Sequence, residues 1–288
     1  MRSKLISLVV ASIGRVAEVE RLLSSLTQQT DDNFEVILVD QNSDARLKSV
    51  VHDARSGGLA IKHLRLDIAD QYKARTAGIE AAQGEYIAFP DDDCWYDEAA
   101  IENCLQGFAE TKANCIIAHW PDKYKSPPSE LRQLTLNEVR GFRSVGPSMI
   151  TQFYEKKTVL QAGGFDSRIG LGRWFGGGED TDLLFTVLGQ GKKVVIVPSV
   201  IVRHKFESEL KVPPDLVSLK SRARGTGALY AKHKISFWVI VRGLLAPIMK
   251  PIFFLQGVWA LRSGYAVCMG RLEGYMKWKF GVYEKTFK

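Results

Sequence analysis

The first half of the sequence alternates short apolar, β-branched runs with segments whose apolar residues recur at helical spacing. Four strand-like runs are Leu5–Val10, Phe34–Val39, Ile61–Leu66 and Glu85–Phe89. Helical spacing follows the first run, at Val16, Val19, Leu22, Leu23 and Leu26. A second helix is predicted over Tyr72–Ala82, with Gly84 as its C-terminal cap. This alternation predicts an α/β fold: a mostly parallel sheet flanked by helices, with ligands at the carboxyl ends of the strands.

The pattern continues past residue 100 and then changes. A polar insertion through about Gly141 interrupts the predicted strands and helices. The predicted elements are a helix over Asp97–Glu110, strands over Cys115–His119, Ser148–Tyr154 and Val194–Val197, and a helix over Glu179–Gly189. After about Asp215 the strand signals stop and only helices are predicted. We therefore expect an α/β domain over residues 1–235 and a C-terminal helical region over residues 236–288.

Composition excludes several classes of protein. The 288 residues are 45% apolar and 25% charged, which excludes a disordered or fibrous chain. The four cysteines form no C-x-x-C pair, so neither a zinc ribbon nor a disulfide scaffold is indicated. No signal-peptide pattern is visible at the N-terminus. We expect an intracellular protein in a reducing compartment.

An acidic run, Asp91–Asp93, directly follows the apolar strand that ends near Phe89. Three successive carboxylates repel one another, so a cation is expected beside them. Mg²⁺ and Mn²⁺ bind carboxylate oxygens together with substrate phosphates, which favours a divalent cation on a diphosphate. Taken alone, the run is also compatible with a solvated acidic turn that caps the next helix.

A second acidic motif, Gly176–Asp182, joins three glycines to Glu179, Asp180 and Asp182 at a predicted helix start. Glycines allow the backbone to approach a ligand closely or to move as a lid, and the helix dipole favours acids in the first turn. The alternative is that the acids are ordinary first-turn residues.

The two acidic motifs and their setting resemble those of the inverting family 2 of nucleotide-sugar glycosyltransferases, which have the GT-A fold and assemble bacterial polysaccharides and glycans. The resemblance covers roughly residues 3–205. It is carried by five ordered segments: Ile6–Arg15, Val36–Ser43, Asp70–Asp93, Gly163–Asp166 and Gly178–Leu183. The implied fold is a Rossmann-like sheet flanked by helices.

The resemblance also implies roles on the donor side. The expected nucleotide-binding residues are Asp40, Arg75, Asp91 and Asp92. Asp93 is the expected direct ligand of Mn²⁺ or Mg²⁺, with Asp91 beside it. His204, just past a predicted strand, suits a third contact to the metal or the diphosphate. A single histidine is also compatible with a packed or solvent-facing position.

On the acceptor side, the resemblance implies Asp180 as the general base, with Glu179 next to it in the catalytic motif. Three basic residues are candidates for binding phosphate or lipid phosphate: Lys205, Arg222 and Arg224. An exposed basic helix face is the alternative for the last two. Trp95 and Trp174 could stack on a sugar of the acceptor, and core packing is the alternative for both.

The basic residues are concentrated in the C-terminal region. Residues 1–200 carry 23 Lys and Arg against 27 Asp and Glu, whereas residues 201–288 carry 16 against 5. Aromatic residues, among them Trp238, Trp259 and Trp278, are interleaved with these charges, which favours an anionic membrane surface over nucleic acid. Pro247 and Pro251 are expected to interrupt any helix. We expect helices lying in the interface; a packing or dimerisation layer and a spanning or re-entrant hairpin are alternatives.

These observations together predict a metal-dependent enzyme at the cytoplasmic face of the inner membrane, bound peripherally or monotopically. It would move a sugar from a nucleotide-sugar donor, with UDP-sugars favoured, to a hydroxyl of a glycan linked to polyprenyl diphosphate. Two rivals are a polyprenyl-phosphate sugar synthase and a non-catalytic sugar-nucleotide sensor or scaffold at the membrane. The sequence leaves the oligomeric state undetermined.

Overall fold

A computed structural model describes residues 5–123, 130–142, 148–204 and 215–281. The strands are β1 Ile6–Ser12, β2 Phe34–Asp40, β3 Ile61–Arg65, β4 Tyr86–Ala88, β5 Cys94–Tyr96, β6 Cys115–His119, β7 Arg132–Leu134, β8 Gln152–Glu155 and β9 Val194–His204. The α-helices are α1 Ala17–Thr27, α2 Lys48–Ser56, α3 Gln71–Ala81, α4 Ala100–Thr111, α5 Leu136–Arg140, α6 Lys156–Gln161, α7 Glu179–Gly189, α8 Leu216–Lys232, α9 Phe237–Phe253 and α10 Gly257–Phe280.

The described residues fall into two compact units. The first unit lies within residues 1–136, 147–164 and 186–210, and it contains all nine strands of the sheet. The second unit lies within residues 137–146, 165–185 and 211–288, and it contains α8, α9 and α10. Each unit is described by itself below.

The sheet of the first unit confirms the predicted α/β fold. The strand order is β3-β2-β1-β4-β8-β6-β9-β5, and β7 pairs with β9. The strands β3, β2, β1 and β4 are parallel, whereas β8 is antiparallel to both β4 and β6. Since β5 and β7 are also antiparallel to β9, the sheet is mixed, and the parallel arrangement that the sequence predicted holds from β3 to β4 but not for the sheet as a whole. The register places Ser12 opposite Asp40 and Leu8 opposite Ala88. The carboxyl ends of β1, β2 and β4 therefore lie at one edge of the sheet.

The helical spacing seen in the sequence of α1 places one apolar face on the sheet. The buried residues of α1 are Val19, Leu22, Leu23 and Leu26, and they belong to the same core cluster as Ile6, Leu8 and Val10 of β1. Full burial of each such side chain contributes about 1.5–3 kcal/mol. This packing fixes the position of the turn between β1 and α1.

Several element boundaries differ from the sequence-based prediction; the strand predicted over Ser148–Tyr154, for example, begins only at Gln152, after a 3-10 helix. Two of the differences have a clear cause. The helix α3 ends at Ala81 with Ala82 as its C-cap, so Gly84 is not the cap. A Cβ at Gly84 would lie 2.6 Å from the Leu5 carbonyl oxygen, which makes close backbone approach the reason for this glycine. The strand β9 continues to His204, beyond the predicted end at Val197, because β5 supplies a pairing partner for its last residues.

The expectation that the prolines interrupt the C-terminal helices was wrong. The helix α9 contains both Pro247 and Pro251. Proline at position 247 removes the amide that would bond to the Gly243 carbonyl, and the Arg271 guanidinium donates to that oxygen instead. A Cβ at Gly264 would lie 2.0 Å from the Pro247 carbonyl oxygen. Arg271 and Gly264 are both on α10, so α10 packs against the carbonyls that the prolines leave unbonded within α9.

Glycines also set the contact between α8 and α10. A Cβ at Gly274 would lie 2.0 Å from the Arg224 carbonyl oxygen, and one at Gly227 would lie 2.0 Å from that of Arg271. Because both helices lack side chains at these points, their backbones are in direct contact. Among the described residues, no helix combines the length and apolar character that crossing a bilayer requires.

We expect Gly274→Ala to destabilise the protein because its methyl group has no space against α8. Overpacking of this kind costs about 1–3 kcal/mol. Gly189→Ala is the matched control, since nothing lies within 4 Å of a Cβ at this helical glycine. Urea denaturation checks the prediction: equal midpoints for the two variants would contradict the tight α8–α10 contact.

Candidate active site

The acidic run lies at the strand-end edge of the first unit, together with a histidine. Asp91 forms an isolated parallel bridge with Ala11 near the end of β1. Cys94, directly after Asp93, pairs with His204 at the end of β9. One ligand atom from each of Asp91, Asp93 and His204 lies within 4.8 Å of the other two. The structure thus brings together the three residues that the sequence predicted as metal ligands.

The donor set fits a divalent cation. Two carboxylates are typical ligands of Mn²⁺ and Mg²⁺, and imidazole is a frequent nitrogen ligand of metals. His204 Nε2 lies 2.9 Å from Asp93 Oδ1, but the two groups are not aligned as a hydrogen bond, and among the described residues this buried oxygen has no aligned donor. It therefore retains a lone pair for a cation. Burial raises the pKa of Asp93, but its contacts with His204 and Arg15 outweigh this and hold the pKa below its ordinary value.

Two arginines that the sequence analysis assigned no role contact the acidic run. Arg15 Nη1 lies 2.8 Å from Asp92 Oδ1 and 2.5 Å from Asp93 Oδ2. Arg21 Nη2 donates to the Asp93 carbonyl oxygen at 2.6 Å, and its guanidinium carbon lies 4.3 Å from the centre of a Trp95 ring. Three adjacent carboxylates predict a cation beside them, and this signal could have identified Arg15 from the sequence. Arg15 is the last residue of Ile6–Arg15, the first of the segments that resemble the family.

The predicted donor-side residues Arg75 and Asp91 lie close together. Arg75 is 5% exposed, and its Nη2 lies 3.7 Å from Asp91 Oδ1. The Asp91 side chain is 41% exposed, so it is open to a ligand. Desolvation of the carboxylate by the surrounding protein raises the pKa of Asp91, and the neighbouring carboxylates Asp93 and Asp92 raise it further. The Arg75 guanidinium opposes this shift but does not outweigh it.

Asp40 ends β2 in a fully buried position with several protein donors. Its Oδ1 accepts from the backbone and side-chain nitrogens of Asn42 at 2.9 and 2.7 Å. Its Oδ2 lies 3.0 Å from His63 Nε2 and 3.5 Å from Arg65 Nη1. Asn42 Oδ1 in turn accepts from the Gly14 amide at 2.7 Å. Asp40 therefore holds together the turns that follow β1 and β2.

Glu179 and Asp180 begin α7 and belong to the second unit. Asp180 Oδ1 accepts from the Thr181 amide at 2.6 Å and contacts the Thr181 hydroxyl at 3.2 Å. The glycine run before them approaches α8 closely: the Gly176 amide donates to the Ser221 carbonyl, and a Cβ at Gly225 would lie 1.6 Å from the Gly177 carbonyl oxygen. The glycines thus serve a contact between two backbones.

A half-buried ionic network ties Asp166 and Asp182, from two of the family-like segments, to the C-terminal end of α8. Lys232 Nζ lies 2.7 Å from Asp182 Oδ2 and 2.8 Å from Asp166 Oδ2. His233 Nε2 lies 2.7 Å from Asp182 Oδ1, and Arg168 binds Asp166 through two nitrogens at 2.8 and 2.6 Å. Burial raises the pKa of Asp166, but the hydrogen bonds from Arg168 and Lys232 outweigh this and lower it.

The remaining predicted residues lie in different places. Trp95 is in β5 of the first unit, and Trp174 is in the second unit, where its side chain is 38% exposed. Arg222 and Arg224 are on α8. Lys205 lies outside the described residues. Trp278 does not face outward as a headgroup anchor would, since it packs against the ring of Phe175 and the guanidinium of Arg168.

The model of glycosyl transferase family 2 matches residues 7–165, a range that contains β1, β2, β4 and the acidic run. The chain belongs to glycosyl transferase family 2. This family membership confirms the resemblance to family 2; the matched range spans most of the first four segments, and Gly178–Leu183 lies beyond it.

Curated relatives in family 2 are similar over part of their lengths. A Haemophilus influenzae protein described as an uncharacterized glycosyltransferase is 28% identical over 173 residues, which are 57% of this chain and 58% of the relative. A Campylobacter jejuni GalNAc(5)-diNAcBac-PP-undecaprenol beta-1,3-glucosyltransferase is 28% identical over 121 residues, 39% of this chain and 38% of the relative. The chain thus covers well under two thirds of either relative.

Solved structures of similar fold cover nearly the whole chain. S. aureus TarS 1–349 in complex with UDP-GlcNAc matches with a TM-score of 0.59 at 15% identity, over 98% of this chain and 93% of that one. The Pyrobaculum calidifontis mannosyltransferase PcManGT in complex with GDP-Man and Mn²⁺ matches with a TM-score of 0.61 at 16% identity, over 93% and 74%. At these identities the likeness establishes the fold, which is GT-A.

We expect Lys232→Gln to lower the free energy of unfolding by about 1.5–3 kcal/mol, because it leaves the buried Asp182 and Asp166 with one charged partner fewer. Lys234→Gln is the matched control, since Lys234 is exposed. Because the pKa of Asp166 is lowered on folding, its contribution is fully present above the ordinary value of 3.8 and is lost progressively as pH falls from there through the lower pKa of the folded state. Thermal melts at neutral pH and at a series of pH values below 3.8 check this: a wild-type advantage over Lys232→Gln that does not shrink with falling pH would contradict it.

Proposed function

We propose that this chain is an inverting glycosyltransferase that moves a sugar from a nucleotide-sugar donor to a hydroxyl of a glycan linked to polyprenyl diphosphate. The observation that carries the proposal is the convergence of Asp91, Asp93 and His204 at the strand-end edge of a family 2 domain. Ligands of open α/β sheets bind at this edge.

For the donor, we propose a UDP-sugar held by Asp40, Arg75, Asp91 and Asp92. Support comes from the TarS complex with UDP-GlcNAc, whose fold is shared, and from the exposed Asp91 beside the Arg75 guanidinium. Arg15 lies next to Asp92 and Asp93 and offsets part of their negative charge.

For the cofactor, we propose Mn²⁺ or Mg²⁺ bound by Asp93, Asp91 and His204. A divalent cation there would neutralise charge that develops on the departing diphosphate, so that no amino-acid acid is needed. The PcManGT complex with Mn²⁺ supports this assignment. Asp93 contributes the buried Oδ1 that lacks an aligned donor.

For the chemical step, we propose Asp180 as general base, with Glu179 as its neighbour in the motif. The acceptor hydroxyl oxygen forms a bond to the anomeric carbon while its proton passes to the Asp180 carboxylate. The bond from that carbon to the diphosphate oxygen breaks, and its electron pair leaves with the nucleoside diphosphate. Attack from the face opposite the leaving group inverts the anomeric configuration.

For the acceptor and location, we propose that residues 236–288 attach a catalytic domain of residues 1–235 to the cytoplasmic face of the inner membrane. No acidic residue lies between Asp215 and Glu273, which suits anionic lipids. Exposed apolar residues lie at the turn between α9 and α10, namely Phe253 at 73%, Phe254 at 72% and Leu255 at 90% exposure. The glycan-PP-undecaprenol named for the C. jejuni relative supports a lipid-linked acceptor.

Two substitutions separate donor binding from chemistry. Asp93→Ala should abolish turnover together with the Mn²⁺-dependent part of UDP-sugar affinity, because it removes the proposed direct ligand. Asp180→Asn should lower kcat by roughly 10²–10⁴-fold while leaving the donor Kd nearly unchanged. Isothermal titration with UDP-GlcNAc and Mn²⁺, beside steady-state kinetics, measures both quantities.

Three outcomes would contradict these assignments. Full activity in EDTA would exclude the metal, and loss of donor affinity in Asp180→Asn would make Asp180 a structural or metal-binding residue. Activity of Asp180→Asn toward a polyprenyl phosphate would favour the synthase alternative, whose acceptor needs no strong base.

The membrane proposal predicts flotation with vesicles that contain anionic lipid, weakened but not abolished by salt. Replacing Phe253, Phe254 and Leu255 with serine should weaken vesicle binding by at least about tenfold, because their apolar area no longer leaves water. Leu160→Ser is the matched control, since Leu160 is 57% exposed elsewhere on the chain. Equal flotation of both variants would indicate that the turn is a packing or dimerisation surface.

A further inference from the structure

Trp174 lies beside two cations from two helices of the second unit. The Arg224 guanidinium carbon, on α8, is 4.5 Å from the centre of a Trp174 ring. The Lys277 ammonium, on α10, is 4.3 Å from it. The indole is 38% exposed, so this grouping is open to a ligand. From the sequence, Trp174 was a candidate for stacking on a sugar, with core packing as the alternative, and Lys277 was not a candidate site residue.

The grouping carries an excess of positive charge. Glu273 Oε1 lies 2.6 Å from Lys220 Nζ, and its Oε2 lies 2.9 Å from Arg224 Nε. Burial raises the pKa of Glu273, but these contacts outweigh it and keep the pKa below its ordinary value, so the carboxylate is ionised at neutral pH. Glu273 is also the sole acidic residue in the sequences of α8, α9 and α10. Glu273 therefore pairs with two cations, Lys220 and Arg224, and Lys277, four residues further along α10, is a third cation on the same helix face.

Folding stability offers little reason for this concentration of charge. The side chains of Lys220, Arg224 and Glu273 are 34%, 24% and 30% exposed, and ion pairs near the surface contribute little to folding stability. One carboxylate neutralises only part of the charge of a guanidinium and two ammonium groups, so donors are left for an additional anion. Phosphate oxygens are the strongest natural match for such donors.

An exposed apolar row runs along α10 next to these cations. Leu272, Met276 and Phe280 are 40%, 46% and 62% exposed, and they recur every four residues on one face of the helix. Leu272 directly precedes Glu273, and Met276 directly precedes Lys277. One helix thus offers cations for a phosphate and, beside them, a surface for a hydrocarbon chain.

We propose that Arg224 and Lys277 beside Trp174, together with Lys220, which shares Glu273 with Arg224, bind the diphosphate of a polyprenyl-diphosphate amphiphile, whose chain follows the apolar row of α10. The inference rests on the proposed function, because it assigns the lipid part of the acceptor to a site. Trp174 immediately precedes the Phe175–Gly178 segment that leads to Asp180, so the site adjoins the segment of the chain that carries the proposed base.

The test measures binding of farnesyl diphosphate to the full-length protein in detergent, by isothermal titration. Farnesol and inorganic diphosphate serve as probes of the two halves of the amphiphile. Wild-type protein should bind farnesyl diphosphate more tightly than either half. Lys277→Gln should weaken that binding by about tenfold, and Arg224→Gln combined with Lys277→Gln by about a hundredfold. Lys279→Gln, on the same helix, should leave it unchanged.

Vesicle flotation distinguishes the two possible sources of the bound phosphate, which are a single carrier lipid and the headgroups of the bulk membrane. Flotation with phosphatidylglycerol-containing vesicles should be similar for Lys277→Gln and wild type, because one carrier lipid is not the bulk membrane. A loss of flotation with unchanged farnesyl diphosphate affinity would assign the cations to bulk headgroups and overturn the proposal. Unchanged behaviour in both assays would also overturn it, since the cluster would then be a surface ion-pair network.

Donor binding separates this inference from the proposed function. The Lys277→Gln variant breaks no ion pair with Glu273, and its melting temperature and UDP-GlcNAc affinity should equal those of wild type. If the wild-type chain binds farnesyl diphosphate through these cations but no nucleotide-sugar, the site stands and the proposed function fails. The opposite result has two parts: the wild-type chain binds nucleotide-sugar and transfers sugar, and Lys277→Gln changes neither the farnesyl diphosphate affinity nor the KM for lipid-linked acceptor. In that case the lipid site is wrong and the proposed function stands.

Discussion

The repulsion among three consecutive carboxylates is the constraint on which the strand-end edge of the first unit depends. Asp91, Asp92 and Asp93 can occupy one turn only where opposite charge surrounds them. The chain supplies Arg15 from the turn after β1, Arg75 from α3 and His204 from the end of β9. Each of these elements is held in place by the sheet or by packing on it. The result is an edge that is neutralised enough to fold and still has a buried carboxylate oxygen for a cation.

In the second unit, close contact between backbones is the constraint on which the positions of the helices depend. Gly225 meets the Gly177 carbonyl, and Gly274 meets that of Arg224, so α8 touches both the acidic loop and α10. The Lys232 ammonium then binds Asp166 and Asp182 from the two acceptor-side motifs. The glycine run before Asp180 is therefore better explained by this packing than by the freedom to swing as a lid.

The sequence predicted the elements with strong periodicity and missed those that depend on a partner. The strands β1, β2 and β6 were identifiable because each is a run of mostly apolar, buried residues. The short strand β5, Cys94–Tyr96, has no pattern of its own and exists because β9 pairs with it. The prolines of α9 were misinterpreted for a similar reason, since the Arg271 guanidinium that bonds the Gly243 carbonyl comes from another helix.

By itself, the sequence determined the α/β alternation, the family, the two acidic motifs and the basic, aromatic C-terminal region, because these are properties of neighbouring residues. Only the tertiary structure decided which distant groups meet. Asp93 and His204 are separated by more than a hundred positions and come together through the β5–β9 pairing, and Trp174, Arg224 and Lys277 meet through the α8–α10 contact. Local periodicity records which face of an element is apolar, but the register between elements is fixed by packing, and packing is a property of the whole fold.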